Sequence, residues 1–372
     1  MSEPTNTRKT LRRAIAQELK MPFFRRYTAG ELTFDTTTTT SKLIDSDLTQ
    51  KDGFWNGSWF YGLFAGDMSI IRAFDAANNA GQLEIPMAAL PADTDTRTYE
   101  IHTMWNAAEI HAAINRAISD VSRIYPESHV DTTLIFQENK LEYDITGLTY
   151  TPYILNRVFL ETPNTVATGT ATAGGASSIT VVSVPSDIDT NFKISIYSGT
   201  GAGQIRTYAS KVGNVITVSV PWTTVPDTTS KYAIWDPSEE LYPWTIMINV
   251  ATDSKEFPDV IRFLQMLPQY YGMRIRLEYL SLPQELTTDS STTIVPKDYI
   301  VNKAISILHG QNIGDTKSDR DLHFAEQQRY EKAAMMYTAQ NAPHTPDTTI
   351  RIFNEIGQSS SLNVDDPLGW SN

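Results

Sequence analysis

Apolar positions recur along this chain with two different periods, and the switches between them divide it. Residues 7–20 place Leu11, Ile15 and Leu19 at helical spacing, with Ala14 beside Ile15, Thr7 as N-cap and Pro22 beyond the end, so an amphipathic helix is predicted there. A clearer helical pattern covers 106–124, where Ile110, Ile114, Ala117, Ile118, Val121 and Ile124 recur between a capping Asn106 and Pro126. Near the C-terminus, Pro296 and Asp298 open a helix through Ile300, Ala304, Ile307 and Leu308, closed by Gly310. A further helix runs from about Ser318 to Asn341, with Leu322, Ala325, Ala333, Met336 and Tyr337 as its expected inner face. Between these helices the period falls to two. Arg274 to Tyr279 alternate strictly, the pattern of a strand wet on one side. With 133–137, 140–144, 154–161, 244–250 and 262–265 this strand is expected to build one sheet beneath the helix at 106–124, and Thr348–Phe353 reads as an edge strand.

One pattern occurs twice. Gly199-Thr-Gly-Ala-Gly-Gln-Ile-Arg206 is followed by Pro226-Asp-Thr-Thr-Ser-Lys-Tyr-Ala-Ile-Trp235, and a looser copy runs from Ala65 to Arg72 and from Pro91 to His102. Twenty-seven residues separate Arg72 from Tyr99 and twenty-six separate Arg206 from Tyr232. Between them, Gly81–Ile85 answers Gly213–Val218, each a turn into an alternating strand. This is one β-module used twice. The fold class that follows is α+β, with six parts. They are a basic N-terminal helix or arm (1–27), a first β-module (31–104), a middle α+β domain with one packed helix (105–163 and 237–290), a second β-module inserted in it (164–236), a C-terminal helical segment (291–342) and a tail (343–372).

Composition narrows the chemistry. The absence of cysteine removes disulfides, thiolate catalysis and cysteine-based metal sites. A net charge of −13 argues against a nucleic-acid surface over the whole chain, although Arg8, Lys9, Arg12 and Arg13 crowd the first helix. That helix is either solvated or an arm that docks on an acidic neighbour or near DNA phosphates, with Arg8, Arg12 and Arg13 as candidate interaction residues. Trp370 in the tail is a fourth, for docking into a neighbouring subunit. No apolar run reaches the length of a membrane span, and the basic start does not read as a secretory signal, so a chain made in the cytoplasm is expected.

No catalytic, cofactor or metal residues are assigned. Glu109 and His111 point apart on a helix; Asp319, Asp321 and His323 read as an acidic helix start; Asp144 and Glu161 remain an open carboxylate pair. The triple glycine lacks the following helix that a phosphate loop needs. Trp55, Trp59 and Trp222 read as module core, or, if exposed, as stacking platforms for sugars.

The strings Gly199–Arg206 and Pro226–Trp235 resemble a β-module of tailed-bacteriophage structural proteins. Leu43–Asp45 and Asp52–Gly57 in the first copy are similar to its other half. Leu277–Tyr279, Leu282–Leu286, Asp289, Pro296 and the helix with Ala304 and Leu308 resemble a segment of phage neck and tail-associated proteins. The order of parts is similar to that of head-to-tail adaptors. The resemblance implies a ring subunit, expected as a dodecamer, that docks under the portal, meets tail or neck proteins and passes genomic DNA without reading its sequence. It implies location in the virion, no membrane partner, no cofactor and no turnover. The alternative is a tail or baseplate protein with glycan-binding β-modules, and a third reading is a depolymerase.

Overall fold

The computed structural model describes residues 6–19, 27–32, 42–44, 48–62, 67–78, 80–85, 97–162, 164–236, 244–247, 250–313 and 320–341. It is mixed α+β with antiparallel sheets, and its described residues fall into two compact units: up to Tyr125 together with Pro283 onward, and Pro126 to Leu282.

The first unit opens with β1 (Asn6–Thr7) and α1 (Arg8–Glu18). Thr7 caps α1 by accepting from the Thr10 amide, as expected from its place before the first apolar position. Six strands follow: β2 (Tyr27–Leu32), β3 (Lys42–Ile44), β4 (Trp59–Gly62), β5 (Asp67–Asp75), β6 (Ala80–Leu83) and β7 (Arg97–His102). They pair in the order β2-β7-β4-β5-β6-β3. Helix α2 (Ala107–Val121) starts in a capping box in which Asn106 and Glu109 satisfy each other's backbone amides.

The second unit holds β8 (Glu127–Ile135), β9 (Glu142–Asp144) and β10 (Ile154–Thr162). The inserted module follows, as β11 (Asn164–Thr170), β12 (Ala173–Gly175), β13 (Ser178–Thr180), β14 (Lys193–Ser198), β15 (Ile205–Val212), β16 (Val215–Val218) and β17 (Lys231–Asp236). After it come β18 (Trp244–Met247), β19 (Val250–Thr252), β20 (Val260–Phe263) and β21 (Arg274–Ser281). The middle strands form two sheets rather than the single one expected, β18-β10-β21-β8 and β19-β20-β9. Their shared core joins Val158, Leu160, Ile275, Leu277 and Tyr279 to Tyr143, Ile145, Ile261 and Phe263.

The chain then returns to the first unit with β22 (Thr292–Thr293), α3 (Lys297–Asn312) and α4 (Arg320–Asn341). The expected seat of α2 is corrected here. Its apolar face, including Ile110, Ile114, Ala117 and Ile118, packs with Leu11 and Ile15 of α1 and with Ile300, Ala304 and Leu308 of α3, a helical core and not the middle sheet. Each such fully buried aliphatic side chain contributes about 1.5–3 kcal/mol. Gly310 does not end α3 but lies within it, where a Cβ would stand 3.0 Å from the Gln327 amide of α4, so it permits close approach of the two helices. The inner face of α4 also differs from expectation: His323, Tyr330 and Ala334 are buried, while Leu322 and Met336 are exposed. The expected edge strand at 348–353 lies outside the described residues.

The two modules share one topology. The second pairs in the order β11-β17-β14-β15-β16-β13-β12, so that every strand of the first has a counterpart and only β12 is additional. The register agrees as well. Tyr99 lies opposite Gly30 and Gly62, and Tyr232 lies opposite Gly169 and Ile196, both tyrosines being buried in their modules' cores. Carrying that register across makes Glu100 the counterpart of Ala233, and Phe60 that of Ile194.

The finer alignment read from sequence is corrected by the same register. Phe60 faces Ser69 where Ile194 faces Arg206, so Ser69 and not Arg72 stands at the Arg206 position. Gly81 lies inside β6 opposite Phe74, whereas Gly213 sits in a turn at φ 57. The β5–β6 hairpin is longer than β15–β16, and the near-equal Arg–Tyr spacing arises from compensating loop lengths. A bulge nevertheless falls at equivalent places, between Ile71 and Ala73 and between Tyr208 and Ser210, bending the long strand of each module.

Candidate functional site

Alternation along β7 sends Tyr99 and Ile101 into the module core and leaves Glu100 on the opposite face. Helix α1 covers that face. Its Leu11 and Ile15 are committed to the helical core, which aims the neighbouring Arg12 at Glu100. Both side chains are 0% exposed. The guanidinium donates from Nε to Glu100 at 2.8 Å and from Nη1 and Nη2 to Asp289 at 2.7 and 2.9 Å, and lies 4.7 Å over the Tyr61 ring. Arg13 donates to the second Glu100 oxygen at 2.8 Å. Arg8 donates to Asp289 and to the Leu286 and Thr287 carbonyls. The acidic neighbour expected for Arg8 and Arg13 is thus found within the chain itself, and so is that for Arg12. Trp370 lies outside the described residues.

Burial opposes every charge in this junction, and the pairings outweigh it. Burial pushes the Glu100 carboxyl up, but hydrogen bonds from His102, Arg12 and Arg13 hold it well below the usual carboxylate range. Against the same burial, Arg12 and Arg8 lower Asp289. The Arg12 guanidinium, disfavoured by burial, is held above its ordinary value by Asp289 and Glu100. Both carboxylates are fixed as anions, so neither acts as a general acid near neutral pH. What the junction does is register α1 against the module and the 286–291 segment.

One member titrates at a measurable pH. Arg12 Nη1 donates to His111 Nε2 at 2.7 Å, which requires a neutral ring; burial, then the charges of Arg12 and Arg8, push its pKa down to about 4 from 6.5. The unfolded chain therefore binds the extra proton between pH 6.5 and about 4, and stability falls as the pH falls through that window. Glu100 and Asp289, with lowered values, stabilise the fold above the ordinary carboxylate range and lose that contribution only at still lower pH. His111→Gln, which keeps an acceptor for Arg12, is expected to flatten the window, removing a slope of up to about 1.4 kcal/mol per pH unit. Urea midpoints of both proteins from pH 7 to pH 4 measure this, and equal slopes would count against it.

In the second unit the counterpart face is apolar and small. Ala233 and Ser195 line it, and Gly272 lies so close that a Cβ there would stand 2.9 Å from the Ala233 methyl; Ser195 Oγ donates to the Gly272 carbonyl at 2.9 Å. Arg274 covers Trp235 at 4.8 Å, as Arg12 covers Tyr61. Each copy is fastened to its unit through the same sheet face.

The glycine signature is a clasp. Gly199, Gly201 and Gly203 all have positive φ. The turn they make puts Thr200 Oγ1 2.7 Å from Asp227, while Ser230 Oγ donates to the Thr200 carbonyl. Gln204 donates to the Gly201 and Thr224 carbonyls and accepts from the Thr223 amide, and Arg206 donates to the Pro221 carbonyl and to Thr223. The two strings recognised in the sequence are bonded to each other, which explains why they occur together.

Other candidates are structural. Glu109 caps α2, and Asp144 holds Thr146. Asp144 and Glu161 stand in strands of different sheets, β9 and β10. Asp319 is outside the described residues, Asp321 is exposed, and His323 is buried with its Nδ1 2.8 Å from that of His309. Ser281 Oγ and His129 Nε2 are 2.8 Å apart, but Glu127 approaches the same Nε2, so no carboxylate–imidazole–hydroxyl relay forms, and Ser281 is buried. Trp55 and Trp222 are buried in the module cores, unlike sugar-stacking platforms; Trp59 is half-buried.

Asp289, Glu100 and the His309–His323 pair were not singled out by sequence reasoning. Their partners lie far along the chain, and no local spacing signals them. Among the described residues no group of three or more metal-ligating side chains converges, and no helix is long and apolar enough to cross a membrane. Comparison with family profiles, curated proteins and solved structures returned no match.

Proposed function

We propose that this chain is a structural subunit of a tailed-phage virion, a head-to-tail adaptor that assembles as a ring, docks under the portal and continues the DNA channel toward the tail. The observation that carries this reading is the repeated β-module. The residues that resemble a virion module form its clasp, and the chain holds two copies with one strand order and one register. The most buried ionic cluster supports the same reading, since it fastens one copy in place and offers no free acid or base. A net charge of −13 suits a channel wall, because an acidic surface does not hold passing phosphates. The partners are further copies of the chain, the portal and tail or neck proteins, and DNA is not read for sequence.

Negative-stain images of the purified chain, alone and mixed with portal at modest salt, test the proposal. Ring-shaped particles are expected. A chain that stays monomeric under both conditions and leaves portal unbound overturns it.

A further inference from the structure

Helix α4 buries little of itself. Within the chain it commits His323, Tyr330 and Ala334 to the helical core, yet Phe324, Met335 and Met336 are 50%, 62% and 51% exposed, and Leu322 is 46% exposed. At about 100° per residue these fall into two groups. Phe324 and Met335 lie on one flank of the buried seam; Leu322 and Met336 lie on the other. The flanks differ in charge as well. Arg329, 67% exposed, stands between Leu322 and Met336 and meets Glu326 only at 3.5 Å, whereas the exposed Asp321 lies toward the Phe324 and Met335 side. Lys332 occupies the outermost ridge between them.

We infer that α4 is the seam between successive copies of this chain, the Leu322–Arg329–Met336 flank of one packing on the Phe324–Met335 flank of the next. Two apolar flanks of complementary charge on one helix supply both halves of a contact, which a second copy uses in full and an unrelated partner would use only by half. A contact between unlike surfaces is heterologous, and repeated about an axis it closes a ring. Rotation about an axis along the helix preserves height, so Met336 of one copy meets Met335 of the next. This rests on the ring reading above and names the surface that makes the ring.

The chain contains no cysteine, so crosslinking is clean. Neighbouring Cα atoms about 3.8 Å apart are too close for an ordinary disulfide, and Met335→Cys with Met336→Cys cannot bridge within one helix. On oxidation of the assembled protein the double variant is expected to give a ladder of dimers, trimers and longer chains, and each single variant none. Met335→Asp and Met336→Asp are each expected to raise the concentration needed for assembly at least about tenfold without changing the melting temperature of the free chain. Dimers from a single variant would mean a two-fold contact and overturn the seam. Rings in negative stain with neither a ladder nor an effect of the Asp variants would place the seam elsewhere and leave the ring reading standing. A ladder without rings would keep the seam and remove the ring.

Discussion

Arg12→Ala is expected to destabilise the first unit by about 3–5 kcal/mol, because it leaves a wholly buried carboxylate without its principal partner. The mutation removes bonds to both Glu100 and Asp289, and also the cation over Tyr61. Glu100 must then accept a proton or draw in water, and either course loosens α1 from β7. Arg13→Ala, at a side chain 34% exposed, is expected to cost no more than about 1 kcal/mol although it touches the same carboxylate. Urea unfolding, with hydrogen exchange followed at residues 8–18 and 97–121, separates the two. The cause is tested by Arg12→Leu combined with Glu100→Gln. Removing both charges is expected to recover more than half of the loss, since the penalty lies in the unpaired charge and not in the missing contact. If Arg12→Ala costs less than 1 kcal/mol, the junction is solvated in solution and does not register the helix.

The parts of this fold legible in sequence are those whose signal is local. The capped starts of α1 and α2, the alternation of β21 and the existence of two related modules all follow from residues within a few positions of each other. What covers an apolar face is a different question. The spacing of Ile110, Ile114 and Ile118 requires that α2 be covered but does not distinguish α1 and α3 from a sheet. Helix α4 shows the limit most plainly: apolar residues at 322, 324, 335 and 336 surround it, no single stripe stands out, and the face that packs is set by His323, Tyr330 and Ala334 meeting α3 and α1. The Arg12 junction was visible only as basic residues on a helix, since Glu100 and Asp289 lie 88 and 277 positions away. The match between Arg72 and Arg206 failed because spacing along the chain does not record loop length and strand register separately.

Gly199→Ala carries the second large effect, and Gly213→Ala is its control. Both glycines have positive φ, at 75° and 57°. Any L-residue there meets the strain of the left-handed region, about 1–2 kcal/mol. They differ in what surrounds the missing side chain. A Cβ on Gly213 meets nothing within 4 Å, whereas one on Gly199 would stand 2.1 Å from the Thr229 carbonyl oxygen, a backbone atom held by the clasp. Relieving that overlap means moving the 227–230 turn away from Thr200, which breaks the bonds from Thr200 to Asp227 and from Ser230 to the Thr200 carbonyl and pulls on Lys231 at the start of β17. The expected cost is about 2–4 kcal/mol for Gly199→Ala against about 1 kcal/mol for Gly213→Ala. Protection against hydrogen exchange should fall at 193–198 and 231–236 only in the first variant. Equal losses in the two proteins would show that the turn yields without disturbing the strands, and the signature would then be a conformational requirement of the glycines alone, with no part in fastening the module's two halves together.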